Sequence, residues 1–251
     1  MSKNLFHLIK TDLVAAKDKD PAARNYFEVS LTYSGFHAIL FYRICHILWR
    51  FKLKFVSRFL SNLARILTSV EIHPAAKIGE SFFIDHGSGL VIGETCIIGK
   101  NVTLYQHTTL GGISPAVNSK SQINVKRHPT IGDNVIIGSG AQILGPVNIG
   151  KNARIGANAV VLSNVPENMT YVGIPARKLE STNKQNNFDP YGIGDGKIDD
   201  PNKKSIHALF NEIHQLSEKI NELQSKITNK KAIDVKNVLI KKKNLKLKDD
   251  V

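Results

Sequence analysis

Ile72-His73-Pro74-Ala75-Ala76-Lys77, Ile78-Gly79-Glu80-Ser81-Phe82-Phe83, Ile84-Asp85-His86-Gly87-Ser88-Gly89: across residues 72–89 an isoleucine returns at every sixth position. After a slip of two residues the register resumes at Ile92, Ile98, Leu104 and Leu110, and after a loop at Ile131, Ile137, Ile143, Ile149, Ile155 and Val161. A repeat this short marks a solenoid of parallel β coils. The aliphatic side chain fills one interior line. The small residue four positions on (Ala76, Cys96, Val102, Val135, Ala141, Val147, Ala153, Ala159) packs inside the same turn. The glycine that follows many of the aliphatics is expected to supply a tight corner that a Cβ resists. The density of β-branched residues and glycine excludes a helical period. The number of matches excludes a β-sandwich with coincidental spacing.

Outward from the repeats, the chain reads as α+β. Residues 1–70 form an N-terminal helical domain, in which Gly35–Val70 places apolar groups at helical intervals with Arg and Lys between them. Asp20-Pro21-Ala22 reads as an N-cap followed by proline at the first helical position. The β-helix covers 71–176, broken by a polar excursion over 111–130. A linker spans 177–203 and an amphipathic helix spans 204–230. That helix carries Ile206, Leu209, Ile213, Leu216, Ile220, Leu223 and Ile227 at alternating three- and four-residue spacings, the seam of a coiled coil.

The net charge of +13 is uneven: nine lysines against three aspartates from Lys226 onward supply +6 of it. No aromatic residue interrupts that segment, which points away from nucleic acid and toward a solvated, mobile, disordered basic tail over 231–251. Cys45 and Cys96 make no disulfide framework, and Cys96 occupies an inward repeat position where packing explains it better than catalysis. The N-terminus lacks a signal-peptide pattern, and the apolar window Phe36–Trp49 is short and holds His37, Arg43 and His46. A reducing cytoplasm, without membrane attachment, is the expected compartment.

A solenoid has no deep cleft within one copy, so its chemistry is expected between copies of an oligomer. The polar interruptions of the repeat are the candidates. Asp85-His86-Gly87 breaks one corner, Arg127-His128-Pro129 ends the excursion, and Glu71 and His73 open the first coil. An imidazole removes a proton near neutral pH when a carboxylate holds its tautomer. Glu71, fifteen residues before His86, is close to one coil away from it. An arginine beside a second histidine suits a substrate carboxylate. His73, His86, His107 and His128 show no tight ligand spacing, so no metal is expected.

These motifs resemble serine O-acetyltransferase, in its shorter bacterial form, over roughly residues 10–225. The resemblance rests on Asp20-Pro21-Ala22-Ala23-Arg24-Asn25, Gly35-Phe36-His37-Ala38, Glu71-Ile72-His73-Pro74, Phe83-Ile84-Asp85-His86-Gly87 and Val91-Ile92-Gly93-Glu94-Thr95. Thr109-Leu110-Gly111-Gly112, Arg127-His128-Pro129 and Gly173-Ile174-Pro175-Ala176-Arg177 complete it. It implies a left-handed β-helix of hexapeptide repeats, assembled as a homotrimer or a dimer of trimers, with acetyl-CoA in a groove between coils. His86 is then the general base on the serine hydroxyl and Glu71 the carboxylate that orients it. Asp20, Asp85, Arg127 and His128 match residues that hold L-serine or the feedback inhibitor cysteine. Gly112 and Ser139 line the CoA side.

Two departures from the family stand out. The loop between Gly112 and Arg127 is longer than usual, and the chain ends Asp249-Asp250-Val251 where many relatives end in the isoleucine that docks into O-acetylserine sulfhydrylase. A tight complex with that sulfhydrylase, the partner enzyme in cysteine synthase, is therefore not expected. Two other readings stay open on the residues alone: acetyl transfer to a sugar or amino-sugar, and a non-catalytic scaffold.

Overall fold

The computed structural model describes residues 4–113, 119–179, 206 and 208–226. The chain divides into two compact units, Met1–Ile198 and Asp199–Val251. The first holds α1 (Leu5–Lys19), α2 (Tyr26–Thr32), α3 (Ser34–Arg50) and α4 (Lys54–Thr68), followed by strands β1 to β15. The second holds a helix over residues 208–226. Most of the expected linker, the lysine-rich tail and Val251 lie outside the described residues.

The strands form three sheets that wind as a left-handed β-helix, each coil contributing one short strand to each face. One face is β1 (Glu71–Ile72), β4 (Val91–Ile92), β7 (Thr109–Gly111), β10 (Gln142–Leu144) and β13 (Val160–Val161). A second is β2 (Lys77–Ile78), β5 (Ile97–Ile98), β8 (Thr130–Ile131) and β11 (Asn148–Ile149). The third runs from β3 (Phe83–Ile84) through β6 (Thr103–Leu104), β9 (Ile136–Ile137) and β12 (Arg154–Ile155) to β14 (Thr170–Val172) and β15 (Arg177–Lys178). Every pairing is parallel except β14 with β15.

The register explains the period. Ile72 stacks on Ile92, Ile92 on Leu110, Leu110 on Ile143, and Ile143 on Val161, so each aliphatic of one coil caps that of the next. The small residues four positions later are buried with them. Burying these side chains contributes ~1.5–3 kcal/mol each where the residue is large.

The corners are not made as the glycine pattern implies. Gly79 and Gly99 have no positive φ; a Cβ on Gly79 would stand 2.4 Å from the carbonyl oxygen of Gly99 in the next coil. Glycine there permits close stacking of coils. Asparagine is the commonest type among the left-handed residues other than glycine, and it is the type best able to tolerate that conformation after glycine. Asn101, Asn134, Asn152 and Asn168 all have φ near +58° and stack at one corner. Each donates its side-chain amide to the next in a ladder of 2.8, 3.0 and 2.8 Å.

The helices are stapled to the first coils by a buried ion pair. Asp12 is 0% exposed and receives Arg43 Nε at 3.0 Å, Arg43 Nη2 at 3.2 Å and the Phe82 amide at 3.0 Å. The other guanidinium hydrogens reach the carbonyls of Ile78 and Gly79. Helix α4 packs through small residues. Ser57 donates to the Cys45 carbonyl at 2.7 Å and Ser61 to that of Ile72 at 2.9 Å, leaving Phe55, Phe59, Ile66 and Leu67 outward.

The expected N-cap at Asp20 is not one. Asp20 follows the end of α1, and its Oδ1 accepts from the Ala22 amide at 2.8 Å in a turn. Asn25 caps α2 instead, accepting from Glu28 N at 2.8 Å. The Ala23 amide closes the turn onto the Asp20 carbonyl at 3.1 Å, and the second Asp20 carboxylate oxygen has another partner.

Candidate active site

Two polar clusters stand at opposite edges of the face built from β1, β4, β7, β10 and β13. The first grows from the slip in the repeat. The turn from Ile84 to Ile92 is two residues longer than the turn from Leu104 to Leu110 in the coil above. The extra length is accommodated by left-handed backbone at His86 (φ +57°), Gly87 (+86°) and Gly89 (+70°). A left-handed non-glycine residue costs about 1 kcal/mol and is sustained here by its surroundings. The His86 carbonyl accepts from Ser34 Oγ at 3.0 Å, and the Gly89 amide donates to the Ser69 carbonyl at 2.9 Å.

The imidazole of His86 is 72% exposed, with Nε2 3.8 Å from Asp85 Oδ1. Asp85 is only 21% exposed. Burial and the neighbouring Asp20 carboxylate push its carboxyl up, while His86 pulls the other way. Asp20 Oδ2 accepts from the Tyr33 hydroxyl at 2.7 Å, and that bond holds the phenol up at about 12. Asp20, Tyr33, Asp85 and His86 therefore form one acidic cluster. Tyr33 had no motif to mark it; it is placed by the end of α2.

The side chain of Glu71, expected beside His86, makes no hydrogen bond or ion pair with any described residue. Its strand lies one coil below: the Glu71 amide donates to the Leu90 carbonyl at 2.8 Å, and Glu71 pairs with Val91 at the exit of the His86 turn.

The second cluster is built around Thr95. Its Oγ1 accepts from the amides of Arg127 and His128, both at 3.1 Å, and lies 2.9 Å from His128 Nδ1. The Thr95 amide also donates to that nitrogen at 3.2 Å. A backbone N–H can only donate, so Nδ1 carries no proton and Nε2 carries it. Burial, then Arg127 and Lys126, push His128 down to about 4, which keeps the ring neutral at pH 7. His128 is thus a fixed Nε2–H donor.

Arg127 Nη2 pairs with Glu94 Oε2 at 2.6 Å. Burial works against the Glu94 charge, but Arg127 and the nearby His73 hold its carboxyl below the usual range. His73 is itself driven to about 4 by burial and by Arg58. Gly93 makes room for His128: a Cβ there would fall 2.0 Å from the ring carbon Cδ2. Lys126 secures the loop end by donating to the Thr95 and Pro129 carbonyls at 2.7 and 3.0 Å. Sequence reasoning missed Thr95 and Glu94 as a hub, because their partners lie across the whole excursion.

Gly112 lies at the second edge, where a Cβ would meet only the Arg127 carbonyl oxygen at 3.6 Å, and half-buried Ser139 lies at the first edge, two coils above His86. Buried Cys96, pushed up to about 12 by burial, is no nucleophile. Among the described residues no group of three or more His, Cys, Asp and Glu side chains could hold a metal ion, and no helix is long and apolar enough to cross a membrane.

Residues 1–40 match the model of the serine acetyltransferase N-terminal region, and residues 128–163 match that of bacterial transferase hexapeptide repeats. The chain is 48% identical over 208 residues to a serine acetyltransferase of Bacillus licheniformis, covering 83% of this chain and 92% of that one. A soybean serine acetyltransferase complexed with serine superposes with a TM-score of 0.66 at 42% identity, over 70% of this chain and 69% of that chain. A serine acetyltransferase complexed with CoA superposes with a TM-score of 0.64 at 41% identity, over 70% of this chain and 69% of that chain.

Proposed function

The chain belongs to the serine acetyltransferase family, transferring acetyl from acetyl-CoA to serine in cysteine biosynthesis, and we propose that it does so at a site completed by two copies, with His86 as base. The carrying observation is the separation of the two clusters. The strand Val91–Ile92 lies between the His86 turn and Gly93, so the edges stand on the order of 10 Å apart at ~3.3 Å per residue. The ammonium and carboxylate of one serine cannot span that face. A cyclic assembly, which we take to be a trimer, sets the His86 edge of one copy against the Arg127 edge of the next.

In that site Asp20 and Asp85 hold the ammonium. Their mutual repulsion, which adds to burial in raising the Asp85 carboxyl, is relieved by a cation between them. Arg127, pre-aimed by Glu94, and the Nε2–H of His128 hold the carboxylate. Serine's hydroxyl then meets His86, which takes its proton as the oxygen attacks the thioester carbonyl. Nε2, 3.8 Å from Asp85 and beyond hydrogen-bond distance of it, is the nitrogen that takes the serine proton, and Glu71 is the acid we assign to orient the ring through Nδ1–H. Acetyl-CoA supplies the thioester, its arm running between the Ser139 edge of one copy and the Gly112 edge of the next. No covalent enzyme intermediate is required. Cysteine shares serine's ammonium and carboxylate, so it competes for the same half-sites.

The test is a thiol-release assay with acetyl-CoA, serine and a panel of sugars, with and without free cysteine. Turnover with a sugar but not with serine would overturn the substrate assignment. Full activity in dilute, strictly monomeric enzyme would overturn the two-copy site.

A further inference from the structure

The C-terminal helix is amphipathic, and the described residues of its apolar side are exposed. Ile206, Leu209, Phe210, Ile213, Leu216, Ile220 and Leu223 are between 51% and 66% exposed. Written as heptads, isoleucine occupies every a position (206, 213, 220) and leucine every d position (209, 216, 223). The outer positions are polar, and two of their carboxylates are already paired within the helix: Glu218 with His214 at 3.5 Å and Glu222 with Lys226 at 2.7 Å. Glu212 and Lys219, both at g beside the seam, make no ion pair within the chain among the described residues.

We propose that this helix pairs with the same helix of a second copy, antiparallel, in a two-stranded coiled coil. Isoleucine at a with leucine at d is the combination that selects two strands among parallel coiled coils, and the charges at g set the direction. In a parallel pair each g faces an e of the partner, so Glu212 would face Ser217 and Lys219 would face Gln224, with no ion pair. In an antiparallel pair g faces g. The register of greatest overlap sets Ile213 opposite Leu216, Ile206 opposite Leu223 and Leu209 opposite Ile220, so every layer joins an isoleucine to a leucine. The same register places Glu212 of each strand against Lys219 of the other, twice, and Phe210 at e against the small Ser217.

Pairing in twos has a consequence that rests on the trimer reading above. Three helices cannot all find partners inside one trimer, so the pairing links helices of different trimers.

The experiment measures particle mass by light scattering for the full-length chain, Leu216→Asp, Glu212→Lys and the double variant Glu212→Lys/Lys219→Glu. Leu216→Asp should halve the wild-type mass. Glu212→Lys should raise the dissociation constant about tenfold, replacing two attractions by two repulsions. Adding Lys219→Glu should restore association, which a mere loss of helix stability at position 212 would not allow. Equal masses for wild type and Leu216→Asp overturn the pairing. A silent Glu212→Lys, or no rescue by the second change, overturns the antiparallel direction. The Leu216→Asp particle separately tests the trimer, whose mass is three times 27.8 kDa. Serine acetylation per chain should be the same in all four proteins.

Discussion

Replacing Thr95 by valine keeps the shape of the side chain and removes one hydroxyl. That hydroxyl accepts from two backbone amides, of Arg127 and His128, and lies within hydrogen-bond reach of His128 Nδ1. The group is partly shielded from water, with His128 8% exposed and Thr95 and Arg127 half-buried. Each buried donor left unpaired costs about 1–3 kcal/mol, and the imidazole keeps its bond from the Thr95 amide. The loss comes to roughly 2–4 kcal/mol after partial relaxation. It falls on the segment that aims Arg127 and His128. The serine KM should rise about ten- to a hundredfold, the acetyl-CoA KM should hold, and the melting temperature should drop by several degrees. Thr95→Ser retains the hydroxyl and should behave close to wild type. Initial-rate kinetics with each substrate varied, alongside thermal unfolding, check all of this. A Thr95→Val enzyme with unchanged serine KM and unchanged stability would refute the hub.

Further outcomes are expected elsewhere in the molecule. His86→Ala should fold into the same assembly and lose about 10²–10⁴ in kcat, read in the thiol-release assay. Arg43→Met strands the Asp12 carboxylate in the interior and should cost about 3–5 kcal/mol by denaturant unfolding, with Asp12→Leu in the same chain recovering part of it. His128 and His73 are held near 4 when folded and return to about 6.5 when unfolded, so the unfolded chain binds more protons between those values. Stability should therefore fall as pH drops from about 6.5 toward about 4 and level off below. For His128 the change is on the order of 2 kcal/mol, and His128→Gln should flatten that part of the profile. Asp20→Asn should raise the serine KM without altering CoA binding, and a lowered acetyl-CoA affinity instead would move Asp20 out of the ammonium site.

The β-helix was legible in the chain because its determinants are local and repeated. One aliphatic every sixth residue and one small residue four positions on suffice, and the buried positions follow that rule from Ile72 to Val161. The motif residues His86, Asp85, Arg127 and His128 were also visible, since each interrupts the repeat. What holds them was not. Tyr33 meets Asp20 across a helix, Glu94 and Thr95 meet Arg127 and His128 across an excursion, and Arg43 meets Asp12 across two helices. The glycines were read as corner-makers when stacking asked them only to be thin.

The period of six by itself determined a coiled parallel sheet, because side-chain alternation and interior volume are set within one turn. Tertiary structure alone decided which corners share an edge. The winding of the coils puts His86 and Arg127 on opposite sides of one face, a fact no spacing contains because it depends on how many residues each turn consumes. Distance across that face keeps the two polar clusters apart, and it is this separation that the proposed two-copy site rests on.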